Sequence, residues 1–296
     1  MTNIAAWICL SLLIGFDLST LAAMNSTGLS LDAVPPRVAG MAGAFSAVDG
    51  GPDSLSVNPA GIAGIRGCSI LVSYQALAAG VYSAQLAGVF RIPGVGPFGV
   101  RLNRVAMPEA DGVGYGEWLF SAAYGYRLLK FVDLAAAAGI FSATINDRTS
   151  VSFVMDLGCR VSFLIPRLVA DHRVSAGVGV RDLGTGQRFV SDSVSLNHWF
   201  VIGASYSIAR LLVAADARFL MNYEQRAVYA LGAEYALARS LLIRGGVEKD
   251  GPQTRFYFGL SLAAAFASVR TGAEYAFNPV SVLGNPGSRL GLRADF

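Results

Sequence analysis

From about residue 67 to its end, the chain alternates apolar residues with polar or small ones. In residues 226–237, Tyr229, Leu231, Ala233, Tyr235 and Leu237 fall on one face, and Val228, Gly232 and Glu234 on the other. Period-two alternation is the mark of a strand, because successive side chains of an extended chain point to opposite sides. Trp118, Phe120, Tyr124 and Tyr126 oppose Glu117, Ser121, Gly125 and Arg127 in the same way. So do Phe256, Phe258, Leu260 and Leu262 against Arg255, Gly259 and Ser261, and Val269, Ala273, Tyr275 and Phe277 against Arg270, Gly272 and Glu274. The pattern predicts strands at 68–77, 81–91, 98–107, 116–128, 131–145, 149–163, 172–182, 197–207, 210–221, 226–237, 240–248, 254–264, 266–277 and 288–296. This makes about 14 antiparallel strands, an even number that suits a barrel with both termini on one side.

The connections alternate as well. Odd-numbered links, such as 107–112, 183–196, 249–252 and 278–287, read as longer, polar and rich in Gly and Pro. Most even-numbered links are tight, as at Leu129-Lys130, Ala209, Ala238-Arg239 and Ala265. Outer-membrane barrels share this asymmetry of long outer loops and short periplasmic turns.

Composition turns the barrel inside out. Of 296 residues, 53% are hydrophobic and only 15% charged, against a usual charged share of about 25%. Beyond the N-terminus no run of 18 or more apolar residues provides a spanning helix, so a closed β-barrel is the remaining way to cross a bilayer. The aromatic rows then belong in lipid. The opposite rows carry Arg127, Asp156, Arg160, Asp216, Arg218, Glu234, Arg244, Glu248 and Glu274 among small residues, as suits a wet lumen. Arg104 breaks the pattern by sharing the lipid-facing parity of Phe98, Val100 and Leu102. A cation at mid-bilayer costs about 2–4 kcal/mol, so Arg104 is expected near a rim or after a bulge. Net charge is +3, with no basic stripe, and no nucleic-acid partner is expected.

Residues 1–23 read as an export signal peptide, with an apolar stretch from Ile4 to Phe16 and small residues at Ala22-Ala23, although no Lys or Arg precedes Arg37. Cys68 and Cys159 lack metal-ligand spacing and read as isolated packing residues.

Residues 24–66 lose the alternation. Turn residues at Pro35-Pro36, Asp49-Gly50-Gly51-Pro52-Asp53 and Asn58-Pro59-Ala60-Gly61 imply a compact non-sheet element. Val38, Met41, Phe45, Val48, Leu55 and Ile62 are apolar enough to pack inside something, and a barrel lumen offers the space. The cluster Arg37-x-Ala39-Gly40-x-x-Gly43-Ala44-Phe45, the aspartates at 49 and 53, and Asn58-Pro59-Ala60-Gly61 resemble the hatch of FadL-type outer-membrane proteins. That group comprises the long-chain fatty acid transporters, with PorV-like and spirochaete paralogues. The resemblance implies a 14-strand barrel over 67–296 plugged by a hatch at 24–66. The alternating end, Ser288 to Phe296, looks like the C-terminal signal read by the barrel assembly machinery, with Leu290, Leu292 and Phe296 carrying it. The chain departs from the fatty acid transporters in its short outer loops.

No catalytic constellation is visible, so no enzyme, metal or cofactor is expected. His172 and His198 are predicted at opposite rims, too far apart to share a metal. Passage or scaffolding remains. The resemblance implies uptake of a hydrophobic small molecule, such as a fatty acid, across the outer membrane. Met41, Phe45, Leu55 and Ile62 are candidate lining for it. Arg160, Arg218 and Arg244 are candidates to hold a carboxylate, although such arginines more often pair with Asp156, Asp216 or Glu234 across strands, or with the hatch. A PorV-like scaffold or secretion partner is the alternative, and a general porin the third reading. Outer-membrane lipid is the expected surrounding.

Overall fold

A computed structural model describes residues 31, 33–76, 80–110, 113–165, 172–189, 193–222, 226–266, 268–279 and 287–296. The expected export signal lies outside them. The strands are β1 (Cys68–Ala76), β2 (Tyr82–Ile92), β3 (Gly96–Ala110), β4 (Val113–Leu129), β5 (Val132–Ile145), β6 (Arg148–Ile165), β7 (His172–Gly184), β8 (Gln187–Arg188), β9 (Ser193–Val194), β10 (Trp199–Ile208), β11 (Leu211–Leu220), β12 (Ala227–Ala238), β13 (Leu241–Asp250), β14 (Gln253–Phe266), β15 (Val269–Asn278) and β16 (Gly287–Asp295). All except β8 and β9 form one closed antiparallel barrel. Each strand pairs with its neighbour in sequence, β7 pairs with β10, and β1 closes the ring against β16. Closure matters physically because it leaves no unpaired edge to face hydrocarbon. The last residue joins the seam: Phe296 N donates to the Cys68 carbonyl at 2.8 Å.

The alternation becomes two faces. On every barrel strand the apolar row is outward and exposed, as with Leu231, Phe256, Phe258 and Leu290. The ionisable row turns inward and is buried, including Asp156, Arg160, Asp216, Glu234, Arg244, Glu248 and Glu274. So much exposed apolar surface would be costly in water, at roughly 25 cal/mol per Å², and is favourable in lipid. No described helix is long and apolar enough to cross a membrane; the strands do so. Leu290, Leu292 and Phe296 all lie on the outer face.

Two connections are tighter than their composition suggests. β3 runs on to Ala110, with a register shift between Met107 and Ala110 that accommodates Pro108, which has no N–H to give the ladder. β13 and β14 pair as far as Asp250 and Gln253, leaving only Gly251-Pro252 between them, with Gly251 at φ 55°. Between β7 and β10, the described residues 185–189 and 193–198 do form an excursion. It holds the antiparallel β8–β9 pair and is pinned to β6 by a bond from Arg188 N to Ser150 Oγ (2.8 Å). Most of 278–287 lies outside the described residues. Arg104 faces outward with its guanidinium 4.7 Å from the centre of the Trp118 ring, a residue type suited to the membrane interface. It pairs with Ala84, close to the start of β2.

The N-terminal segment contains α1 (Pro36–Gly40) and two short 3-10 helices, Gly51–Ser56 and Pro59–Ile62. Each opens with proline at its first or second position, where the missing N–H is not required. After α1 the chain reverses through Ala42 (φ 55°) and Gly43 (φ 82°). Val38, Met41, Phe45, Leu55 and Ile62 are almost wholly buried.

Candidate functional site

Four polar anchors tie the N-terminal segment to strands around the barrel. At the first, Asp216 of β11 accepts from Phe45 N (2.9 Å), Ser46 N (2.9 Å) and Ser46 Oγ (2.8 Å). These bonds satisfy backbone donors that would otherwise be buried without partners. At the second, Asn58 caps the turn that follows it by accepting from Ala60 N (3.1 Å). Its Nδ2 donates to Ser46 O (2.7 Å) and to Cys159 O on β6 (3.2 Å). A side chain that serves as cap, brace and wall contact at once explains the Asn-Pro-Ala-Gly sequence: Pro59 starts the turn, and Gly61 makes room for Ser54 Oγ. Asn58→Ala is expected to cost about 2 kcal/mol, a cap plus a buried hydrogen bond, read as a lowered thermal midpoint in detergent.

The third anchor is ionic. Arg37 of α1 makes paired bonds of 2.9 Å to both oxygens of Glu234 on β12. Arg244 Nε reaches the same carboxylate at 2.6 Å, and Asp53 lies 3.8 Å from Arg37 and in contact with Arg293 of β16. Burial opposes the Arg37 charge, but Glu234, with Asp53 and Glu274 behind it, holds the guanidinium above its ordinary range. The fourth anchor is Asp49, which meets Arg160 at 2.5 Å and Arg173 at 3.0 Å, while Arg160 also binds Asp133 at 2.6 Å.

The wall is cut to fit this segment. A Cβ added at Gly177 would strike the Ser46 carbonyl, and one at Gly158 would strike Asn58 Oδ1. At Gly99 it would lie 2.6 Å from Leu55, at Gly125 2.9 Å from Ile62, and at Gly246 2.7 Å from the Met41 carbonyl carbon. The inward small residues therefore face protein at these places and not water. Gly40 and Gly43 match them from the other side, against Gly259 and the Arg218 guanidinium.

The candidate lining residues separate into two packed groups. Met41 and Phe45 join Val38, Val48, Ala214 and Tyr257; Leu55 and Ile62 join Ala87, Val89, Ala123 and Ala137. The three candidate arginines are not brought together at one place, and each holds a carboxylate: Arg160 as above, Arg218 with Glu248, and Arg244 with Glu234. A further apolar group was not anticipated. Leu119, Phe141, Ala143 and Val154 point inward and pack with Leu31 and with Leu196 from the β7–β10 excursion. The available signal was apolar side chains at inward parity, where the rest of the row is polar. His172 shares a hydrogen bond with the Tyr206 hydroxyl. Among the described residues no group of three His, Cys, Asp or Glu could hold a metal.

A closed barrel with apolar outside and ionic inside is an outer-membrane protein that crosses the bilayer with its barrel strands. Its fold matches that of the FadL and TodX hydrocarbon channels. It aligns with a TodX deltaS2S3 mutant monoaromatic hydrocarbon channel at TM-score 0.62 and 11% identity, over 90% of this chain and 99% of that one. The P. putida toluene transporter TodX gives 0.59 at 12% identity, over 90% and 97%. A Pseudomonas aeruginosa FadL homologue gives 0.56 at 11%, over 89% and 98%. No protein-family model and no curated protein matches the sequence.

Proposed function

We propose that the chain is an outer-membrane channel for hydrophobic small molecules, in which residues 24–66 are a hatch plugging the lumen of the 67–296 barrel after residues 1–23 are removed. The observation that carries this reading is the match between the N-terminal segment and the inner wall. Its anchors reach β6, β7, β11, β12 and β16, and glycines on the wall leave it space. Every tie is a hydrogen bond, an ion pair or packing, so the segment can shift without covalent chemistry.

The apolar group of Leu119, Phe141, Ala143 and Val154 supports an apolar cargo. Ligand sites combine apolar walls with few polar groups, whereas a pore for sugars would be wet throughout. Arg160, Arg218 and Arg244 already hold protein carboxylates, so a fatty acid would have to displace one of them. A neutral solute would not. This favours an uncharged hydrocarbon, the type of cargo named for the TodX channels.

The test is initial uptake by cells with an intact lipopolysaccharide outer leaflet and no transporter of their own. Expression of the full chain is expected to speed entry of labelled toluene more than that of oleate, and to leave glucose entry unchanged. Faster glucose entry would make the chain a general porin. No acceleration of either hydrophobic solute would leave the PorV-like scaffold, a reading the well-packed bore also supports.

A further inference from the structure

The outer wall is not uniform. Across β11 to β14 one register row reads Val213, Ala233, Gly245, Phe258, each residue paired with the next. The two middle members are small, so the row forms a trough. Leu231, Val247 and Phe256 border it above, and the resulting groove has a volume of about 320 Å³ with an almost wholly apolar lining. A Cβ at Gly245 would meet nothing closer than the Tyr257 carbonyl oxygen at 4.0 Å, so the floor of the groove is open space on the lipid side.

Directly above it stands a cation. Lys249 lies on β13 with the same outward parity as Gly245 and Val247, flanked in register by Tyr229 and Thr254. At about 3.3 Å per residue it is roughly 13 Å along the strand from the groove floor. It is exposed and one of only two lysines in the chain, with Lys130. Its acidic neighbours serve other residues: Glu248 pairs with Arg218 and Arg255, and Asp250 with Arg226 and Arg255. A single point charge at the end of an apolar trough, on the membrane face, complements a molecule with an anionic head and an alkyl tail.

We infer that this face binds a phospholipid of net negative charge, its acyl chain in the trough over Gly245 and its phosphate on Lys249. A lysine near an anionic membrane surface contributes about 1 kcal/mol, while the trough supplies contact without charge selectivity. Head and tail are therefore separable.

The full chain, reconstituted in nanodiscs of equimolar phosphatidylglycerol and phosphatidylcholine with matched acyl chains, is released into the gas phase and its retained lipids are weighed by native mass spectrometry. The parent is expected to retain phosphatidylglycerol over phosphatidylcholine by about fivefold. Lys249→Gln is expected to bring that ratio close to unity while lipid is still retained. Gly245→Leu, whose Cβ meets nothing closer than 4.0 Å and whose side chain occupies the trough, is expected to reduce retention of both lipids. Equal retention by the parent, a preference that survives Lys249→Gln, or retention indifferent to Gly245→Leu would each overturn the inference. A second protein chain retained in place of lipid would do so as well. Heat-modified gel mobility checks that each variant is a folded barrel.

Discussion

Glu234→Ala is expected to loosen the N-terminal segment more than any other single truncation. That carboxylate holds two guanidinium groups, Arg37 from the segment and Arg244 from the neighbouring strand. Removing one partner of a buried ion pair costs about 3–5 kcal/mol, because the charge left behind has lost its compensation. Here two cations lose their shared carboxylate, and Arg37 keeps only weaker contacts, to Asp53 at 3.8 Å, the Asp49 carbonyl at 3.4 Å and the Phe45 ring. If about 3 kcal/mol of that loss falls on the seating of the segment, its unseated population rises roughly 100-fold. Single-channel recording in planar bilayers should then show frequent openings where the parent is quiet. Glu234→Gln keeps the shape and loses the charge, and is expected to fall between the two. If Glu234→Ala records as quietly as the parent, the ionic anchor does not hold the segment.

The second large effect sets two adjacent residues against each other. Gly246 faces inward, and a side chain there would meet Met41 and Ala42 at 2.7–2.8 Å. Gly245 faces outward into open space. Overpacking costs about 1–3 kcal/mol when neighbours can adjust, and at Gly246 the obstruction is largely backbone, so the cost should reach or exceed the top of that range. Gly246→Leu is therefore expected to unseat the segment or lower the thermal midpoint sharply. Gly245→Leu should leave both unchanged. Equal behaviour of the two variants in melting and in conductance would contradict an inward Gly246 and an outward Gly245.

Much of the architecture is legible in the sequence. Alternation fixed which residues of 226–237 face out, and the turn residues placed most strand ends within a residue or two. This worked because a barrel strand is amphipathic along its whole length and its neighbours follow in sequence. Link lengths were less legible. The Gly-Pro and Pro-Glu stretches at 249–252 and 107–112 look like loops by composition, yet backbone pairing carries the strands almost to their tips.

The interior was read by type but not by partner. Asp216 stands out as an inward carboxylate, but nothing local says that it accepts from Phe45 and Ser46, some 170 residues earlier. The inward glycines suggested a wet lumen because a small residue looks the same whether it leaves room for water or for another segment. Only the facing atoms of Ser46, Asn58 and Met41 distinguish the two. Leu119 and Phe141 were passed over because their inward parity was hidden by apolar residues on both sides of the strand.

The most direct measurement compares the ion conductance of the full chain with that of the same chain lacking residues 33–66, each confirmed as a folded barrel by heat-modified gel mobility. A bore filled by that segment gives a nearly silent parent and a steady, ohmic opening once it is gone. Matching conductances, whether both silent or both open, would contradict it.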